Sequence, residues 1–298
     1  MALNSDNQTH EFSFLSRQSH WDFLNNNPHH LHNVVVIGGG VVGAGFIRQL
    51  TLCRIPDVLL VEKNDFASGT SGASSKLIHA GIRYLEQSWI QLKKGNILGA
   101  VHNFLFVFEA SLERKRLGRM APHLIKPKSI LFVLGEKDKR PILSVLLGIW
   151  VYYFMQLIQG QFFSPPGMYL RKSTIQKKAP EIDASKVKVI FSFWDSETDD
   201  ARLVIENLQS AHEKGARIMN YVEVVALHKQ ESFWMCKLKN HENQEEVWVR
   251  TNIVINAGGP FVDEIRKRVK GGGFNSLIDR VAGAHLGGLS AKTKKDFF

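Results

Sequence analysis

The residues whose types and spacing can do chemistry begin with three glycines, Gly38, Gly40 and Gly43, and an acid at Glu62. Gly38 permits a tight turn, Gly40 lets backbone approach a pyrophosphate with no Cβ in the way, and Gly43 lets a helix pack closely on a strand. A helix opening at that turn presents unpaired N–H groups and partial positive charge to an anion. Glu62, 19 residues beyond Gly43, is placed to accept hydrogen bonds from ribose hydroxyls. The bland alternative is a structural bend. The order strand, turn, helix, strand, acid favours a dinucleotide site.

A second chemical stretch follows. Ser68 to Ser75 is almost entirely Ser, Thr and Gly, and it leads into Lys76, His79, Arg83 and Tyr84. Such a composition is usually a flexible linker. Ending as it does in a compact basic and aromatic string, it reads better as a loop lying against a ligand.

The elements that must position these residues follow from patterning. Asn33–Ile37 is a buried parallel strand feeding the glycine turn, and Asp57–Glu62 is the second strand. Helical periodicity runs from Trp89 to about Arg119, with a strand at Ser129–Leu134. Ile142–Ile158 is strongly apolar but shorter than the roughly 20 residues a spanning helix needs, so a buried or surface-docked helix is expected. Basic Lys137, Lys139 and Arg140 just before it suit an anionic lipid surface. A strand at Val187–Trp194 precedes a helix at Asp199–His212, where Asp199, Asp200 and Arg202 are expected to cap the helix or orient a loop. Arg217–Leu227, Phe233–Leu238 and Glu246–Arg250 read as a strand and a hairpin. Thr251–Pro260 is a second apolar run into glycines, Asn256-Ala257-Gly258-Gly259, followed by a helix at Phe261–Val269. In a doubly wound sheet such strand ends line one crevice. Gly271–Gly273 reads as a loop, and Ile278–Leu286 as a last strand carrying His285.

Composition bounds the rest. A chain of 298 residues with 44% hydrophobic and 22% charged residues can build a substantial core. Its net charge of +10 suits a phosphorylated ligand, an anionic membrane surface or nucleic acid, and the lack of a basic-aromatic ladder ranks nucleic acid last. Cys53 and Cys236 lie in apolar runs and read as free thiols in a reducing compartment. Residues 1–32 read as a polar extension with a short helix around Ser16–Leu24 and no apolar signal segment. His29, His30 and His32 lack further ligands at metal spacing, so a solvated linker is expected and no metal site.

The string Gly69-Thr-Ser-x-x-Ser-Ser-Lys-Leu-Ile-His-x-Gly-x-Arg-Tyr-Leu85, with the turn at Gly38–Gly43, resembles the FAD-dependent glycerol-3-phosphate dehydrogenases of the D-amino-acid-oxidase-like flavoprotein superfamily. Met120-Ala-Pro-His-Leu124, Asp199-Asp-Ala-Arg-Leu203, Asn256-Ala-Gly-Gly-Pro260 and Gly283-Ala-His285 fall in family order. The resemblance implies an α/β fold: a Rossmann-like FAD-binding domain with an interleaved, incomplete α+β substrate domain. FAD-binding segments are expected at about 33–85, 217–228 and 246–270, and substrate segments at about 86–216 and 271–298. It implies that Gly38, Gly40, Gly43 and Glu62 hold the ADP half of FAD. Thr70, Ser71, Ser75, Lys76 and His79 would line the pyrophosphate and flavin, Ala257 and Gly258 would close over the cofactor, and backbone near Val224 would face adenine. Arg83 and Tyr84 would bind the substrate phosphate, and His285 would contact the reacting hydroxyl.

The implied reaction oxidises sn-glycerol 3-phosphate to dihydroxyacetone phosphate, with electrons passed to a membrane quinone. The implied location is cytoplasmic, peripheral on the cytoplasmic face of the inner membrane. Beyond Leu286 the sequence is charged and glycine-containing where the family pattern has an apolar strand. A C-terminally truncated or split member is therefore expected, with a partner chain supplying the missing half. Two other readings stay open: an inactive FAD-binding fragment or subunit, and another oxidoreductase of the same superfamily, against which Arg83-Tyr84 argues.

Overall fold

The computed structural model describes residues 14–78, 81–271 and 275–280, apart from the side chains at 14–16 and 83. In chain order the elements are α1 (Phe14–Asn26), β1 (Leu31–Ile37), α2 (Val41–Leu52), β2 (Val58–Val61), β3 (Leu77–Ile78), α3 (Ile82–Lys93) and α4 (Ile97–Met120). There follow β4 (Ile125–Gly135), α5 (Ile142–Ile158), β5 (Gly167–Tyr169), α6 (Lys172–Lys178), β6 (Val187–Thr198) and α7 (Asp200–His212). The last are β7 (Arg217–Met219), β8 (Val222–Lys229), β9 (Trp234–Asn240), β10 (Glu246–Asn256) and α8 (Val262–Arg266).

The chain forms two compact units. One takes the residues up to Ser74 and resumes at Asp200; the other is built on Ser75–Asp199. In the first unit a six-stranded sheet runs β7-β2-β1-β10-β9-β8. β7, β2, β1 and β10 are parallel, and β9 and β8 continue as an antiparallel meander. The period-2 alternation of β1 splits its side chains between two cores. Val34 and Val36 pack with Ala44 and Ile47 of α2 and with Val204 and Leu208 of α7. Val35 and Ile37 pack on the other face with Trp21 and Leu24 of α1 and Leu238 of β9.

α1 bears out the short helix expected around Ser16–Leu24, and it is packed against the sheet rather than held in solvent. Trp21 and Leu24 are 1% and 2% exposed, and Trp21 donates its indole N–H to Glu245 at 2.7 Å. The Arg17 guanidinium reaches the Asn220 carbonyl, Asn240 and Glu242. His32 is not in the solvated linker expected for it: it sits buried in β1, beside His30 and with its Nδ1 unpartnered. Burial, with His30 and Arg217 nearby, pushes its pKa down to about 4. No group of residues able to hold a metal ion occurs among the described residues.

The second unit centres on β6, which pairs antiparallel with β4 along one edge and with β3 and β5 along the other. Leu85 of α3, Val107 of α4, and Ile149 and Tyr152 of α5 cover one face, while Ile175 and Ala179 flank the other. Within this core the Arg114 guanidinium pairs with Asp195, donates to Tyr152 at 2.7 Å and donates to Gln161 at 2.8 Å. Burial alone would lower the pKa of Arg114; Tyr152 and Asp195 outweigh it and hold the guanidinium protonated.

Several boundaries differ from expectation for local reasons. The helix expected over Trp89–Arg119 is two helices, α3 and α4. Gly95 at φ +76° breaks it, and Asn96 caps the second helix by accepting from the Gly99 N–H at 3.0 Å. Arg217–Leu227 is two strands, β7 and β8. The strands expected at Glu246–Arg250 and Thr251–Asn256 are one, β10, because polar Arg250 and Asn252 sit mid-strand rather than at a turn. The helix after Gly259 is short, and the described residues 275–280 form no strand. Cys53 is exposed at the end of α2, contrary to an apolar setting, while Cys236 is buried and its thiol pushed up to about 12 by burial.

Candidate active site: a crevice at the strand ends of the first unit

The carboxyl ends of β1, β2 and β10 meet at a cavity of about 320 Å³ in the first unit. Its walls include Gly38, Gly40, Glu62, Thr70, Ser71, Val224, Ala257 and Gly258, so eight residues expected at a cofactor site share one crevice. Gly43 stands directly behind it. A Cβ on Gly43 would come within 1.9 Å of the Gly38 carbonyl oxygen, and Gly38 itself holds φ +115° against the Ala257 backbone. These glycines close strand on helix.

Gly40 differs. An added Cβ there would meet only the Ser71 side chain, at 3.0 Å from Oγ. That hydroxyl accepts the Val41 N–H at 2.9 Å, at the start of α2. Thr70–Gly72 forms a 3₁₀ turn that brings Ser71 there. Ala67 fixes the turn's leading side by donating its N–H to the Gly39 carbonyl at 3.1 Å.

Glu62 accepts from the Gly39 N–H at 2.7 Å through one oxygen and from the Asn64 N–H at 2.8 Å through the other. Each carboxylate oxygen keeps lone-pair capacity for a ribose hydroxyl. On the opposite wall, β8 carries a bulge between Val224 and Ala226. The Val224 carbonyl accepts from Arg268, whose other terminal nitrogen meets Glu223 at 2.5 Å. Burial would raise the Glu223 pKa, but Arg268 and His241 outweigh it and keep the carboxyl low. Arg268 was not anticipated from sequence. The chain returns after α8 to pair with β8, Leu227 donating its N–H to the Arg268 carbonyl and accepting the Lys270 N–H, each at 2.9 Å, and so delivers Arg268 to the wall. Asn256 orders the glycine end of β10: its Oδ1 accepts the Gly258 N–H at 3.1 Å and its Nδ2 donates to the Val262 carbonyl at 2.9 Å.

The remaining expected site residues fall elsewhere. Ser75 and Lys76 begin the second unit, where Lys76 holds φ +60° and its carbonyl accepts the Thr198 N–H at 2.9 Å. Tyr84 is exposed on α3, its ring edge-on to Phe106 at 4.9 Å and folded over Gly81. His79, His285 and the Arg83 side chain lie outside the described residues.

A parallel sheet with its glycine turn, helix N-terminus and acidic strand end in one crevice defines a dinucleotide-binding α/β fold. The pattern of the FAD dependent oxidoreductase family matches residues 33–287, and the chain belongs to that family. It is 32% identical over 254 residues to D-erythritol 1-phosphate dehydrogenase of Brucella abortus, covering 85% of this chain and 46% of that protein. It is 34% identical over 259 residues to the mitochondrial glycerol-3-phosphate dehydrogenase of Mus musculus, covering 85% of this chain and 34% of the relative. The chain thus spans less than half the length of these relatives. Among solved structures it is similar in fold to glycerol-3-phosphate dehydrogenase from Bacillus halodurans complexed with FAD, with TM-score 0.58, 23% identity, and coverage of 85% of this chain and 39% of that one. It is also similar to L-alpha-glycerophosphate oxidase from Mycoplasma pneumoniae with FAD bound, with TM-score 0.55, 18% identity, and coverage of 81% and 57%.

The crevice fits the family's cofactor. Its floor lacks side chains at Gly38 and Gly40, a helix N-terminus faces it, and Glu62 and the backbone of β8 flank it.

Proposed function

We propose that this chain is the cofactor-binding part of an FAD-dependent dehydrogenase that oxidises sn-glycerol 3-phosphate to dihydroxyacetone phosphate, a quinone being the final acceptor. The observation that carries the reading is the convergence of Gly38, Gly40, Glu62, Ser71, Val224 and Gly258 on one crevice. In this reading Glu62 holds the ribose, and the turn at Thr70–Gly72 with the start of α2 holds the pyrophosphate. Ala257 and Gly258 close over the cofactor, and Ser75, Lys76 and His79 continue toward the flavin. The first unit then carries FAD and the second the substrate.

FAD, when bound, supplies the acceptor for the hydride leaving C2 of the substrate. The chain's own residues bind and deprotonate. Arg83 offers a planar fork to phosphate oxygens and Tyr84 a hydroxyl. His285 takes the proton from the C2 hydroxyl, a task suited to a base with pKa near neutral.

A membrane surface as partner is supported by the second unit. Leu143, Leu147, Phe154 and Ile158 line the exposed stripe of α5, opposite buried Ile149 and Tyr152. Between Ser75 and Asp199, nineteen Lys and Arg oppose ten Asp and Glu, so nearly all of the chain's net charge of +10 lies there. No helix among the described residues is long and apolar enough to cross a membrane. A peripheral contact with anionic lipid at the cytoplasmic face fits that surface. The rest of the substrate site would come from further polypeptide or a partner chain.

The test is anaerobic addition of glycerol 3-phosphate to the FAD-loaded protein. Loss of the oxidised flavin band supports the dehydrogenase, and a band left unchanged refutes activity of this chain alone. D-erythritol 1-phosphate belongs beside it, because the Brucella relative points to a longer polyol phosphate as a second reading.

A further inference from the structure

The chain leaves the first unit after Ser74 and returns to it at Asp200, and these two residues are bonded to each other. One carboxylate oxygen of Asp200 accepts both the Ser74 hydroxyl, at 2.6 Å, and the Ser74 N–H, at 3.2 Å. Its other oxygen accepts the Ala201 N–H at 2.9 Å, at the start of α7. An ionised carboxylate is favoured at a helix N-terminus, and the O–H···O⁻ bond is of the strong, charge-assisted kind. Asp200 is buried while Ser74 is exposed, so the helix is the fixed end of this tie and the loop is the held end.

What is held matters. Ser74 ends the segment whose 3₁₀ turn brings Ser71 onto the Val41 N–H. Backbone bonds from Gly72 to Gly69 at 3.2 Å and from Ala73 to Thr70 at 3.2 Å make the turn one piece up to Ser74. The segment is therefore held at Ala67 to Gly39, at Ser71 to Val41 and at Ser74 to Asp200. The last lies beyond the turn, two residues before the Lys76 carbonyl that accepts the Thr198 N–H at 2.9 Å.

We propose that Asp200 is a positioning residue for the cofactor: it acts through Ser74 to hold the Thr70–Gly72 turn in the conformation that receives the pyrophosphate. This rests on the reading of the crevice as the FAD site. Asp200 itself does not line the crevice. Freed at Ser74, the turn samples more conformations, and ordering it again weakens binding of the cofactor.

The experiment uses the full chain with Asp200→Ala, Asp200→Asn, Ser74→Ala, Ser74→Thr and the Asp200→Ala/Ser74→Ala pair. Two quantities are read: amide hydrogen exchange over residues 68–75 in the cofactor-free protein, and the Kd for FAD from flavin fluorescence. Asp200→Ala and Ser74→Ala should each speed exchange in that segment about tenfold and weaken FAD about five- to tenfold, with exchange in β1 unchanged. Ser74→Thr, which keeps the hydroxyl, should restore both, and Asp200→Asn should fall between. The double variant should be no worse than either single one. Unchanged exchange, additive losses, or a loosened turn with unaltered FAD affinity would each overturn the proposal. Failure of the wild-type chain to bind FAD would instead sink the reading of the crevice, and the exchange data would still decide the tie.

Discussion

Alanine placed in turn at Gly40, Gly43 and Gly45 separates three jobs that look alike in the sequence. Gly45 lies exposed inside α2 with open space where a Cβ would stand. Gly45→Ala should therefore stabilise the protein by about 0.5–1 kcal/mol through helix propensity alone. At Gly43 the new Cβ would lie 1.9 Å from the Gly38 carbonyl oxygen, far inside the 3.0 Å that real Cβ contacts respect. Gly38 cannot yield, because its N–H is bonded to the Val61 carbonyl at 2.9 Å and its φ is +115°. Gly43→Ala should cost on the order of 3 kcal/mol or more, a large part of a typical domain's stability. At Gly40 the obstacle is a single rotatable hydroxyl, so stability should fall by less than about 1 kcal/mol. The added methyl would nonetheless displace Ser71 from the Val41 N–H and stand in the crevice, weakening FAD at least about tenfold, or ~1.4 kcal/mol. Urea denaturation of the cofactor-free proteins and FAD titration of the folded ones read the two axes separately. A Gly43→Ala protein as stable as wild type, or a Gly40→Ala protein with wild-type FAD affinity, would refute the reasoning.

Other consequences are equally direct. His20 and His32 both have pKa values pushed down to about 4 by burial, with His212 and Arg217 near the first and His30 and Arg217 near the second. Both are neutral in the folded and unfolded states well above pH 6.5; as pH falls from there toward 4 the unfolded chain takes up the protons first, so urea midpoints should drop across that window, and replacing both histidines with Gln should flatten the drop. Asp195→Asn leaves Arg114 charged and buried, and should cost about 3–5 kcal/mol in thermal or urea unfolding. Trp21→Ala should cost about 3–5 kcal/mol, an effect a solvated extension would not produce. A thiol reagent should label exposed Cys53 rapidly and buried Cys236 only on unfolding, as counted by mass spectrometry.

The parts of the fold readable from the sequence were those fixed by neighbours in the chain. The run Asn33–Ile37, the glycine spacing and Glu62 specify strand, turn, helix and strand within about thirty residues, and the crevice follows from them. The parts that were not readable depend on partners far away. α1 is legible as a short helix but not as a buried one, because its burial rests on Glu245, Asn240 and Asn220, more than 200 residues on. The tie between Ser74 and Asp200 spans 126 positions and has no local signature. Arg268 reaches the crevice only because the chain turns back along β8 after α8. The break between α3 and α4 had a signal, Gly95-Asn96, which a purely hydrophobic periodicity passes over.

The central claim is that the first unit holds FAD in the crevice bounded by Gly38, Glu62 and Val224. Titrating the purified chain with FAD, and with NAD in parallel, measures it directly through quenching of flavin fluorescence and competition by NAD. Saturation at one FAD per chain, weakened at least about tenfold in Gly40→Ala and indifferent to NAD, is the predicted result. A chain that leaves FAD fluorescence unchanged, or binds it equally well with Gly40 replaced, would contradict the account.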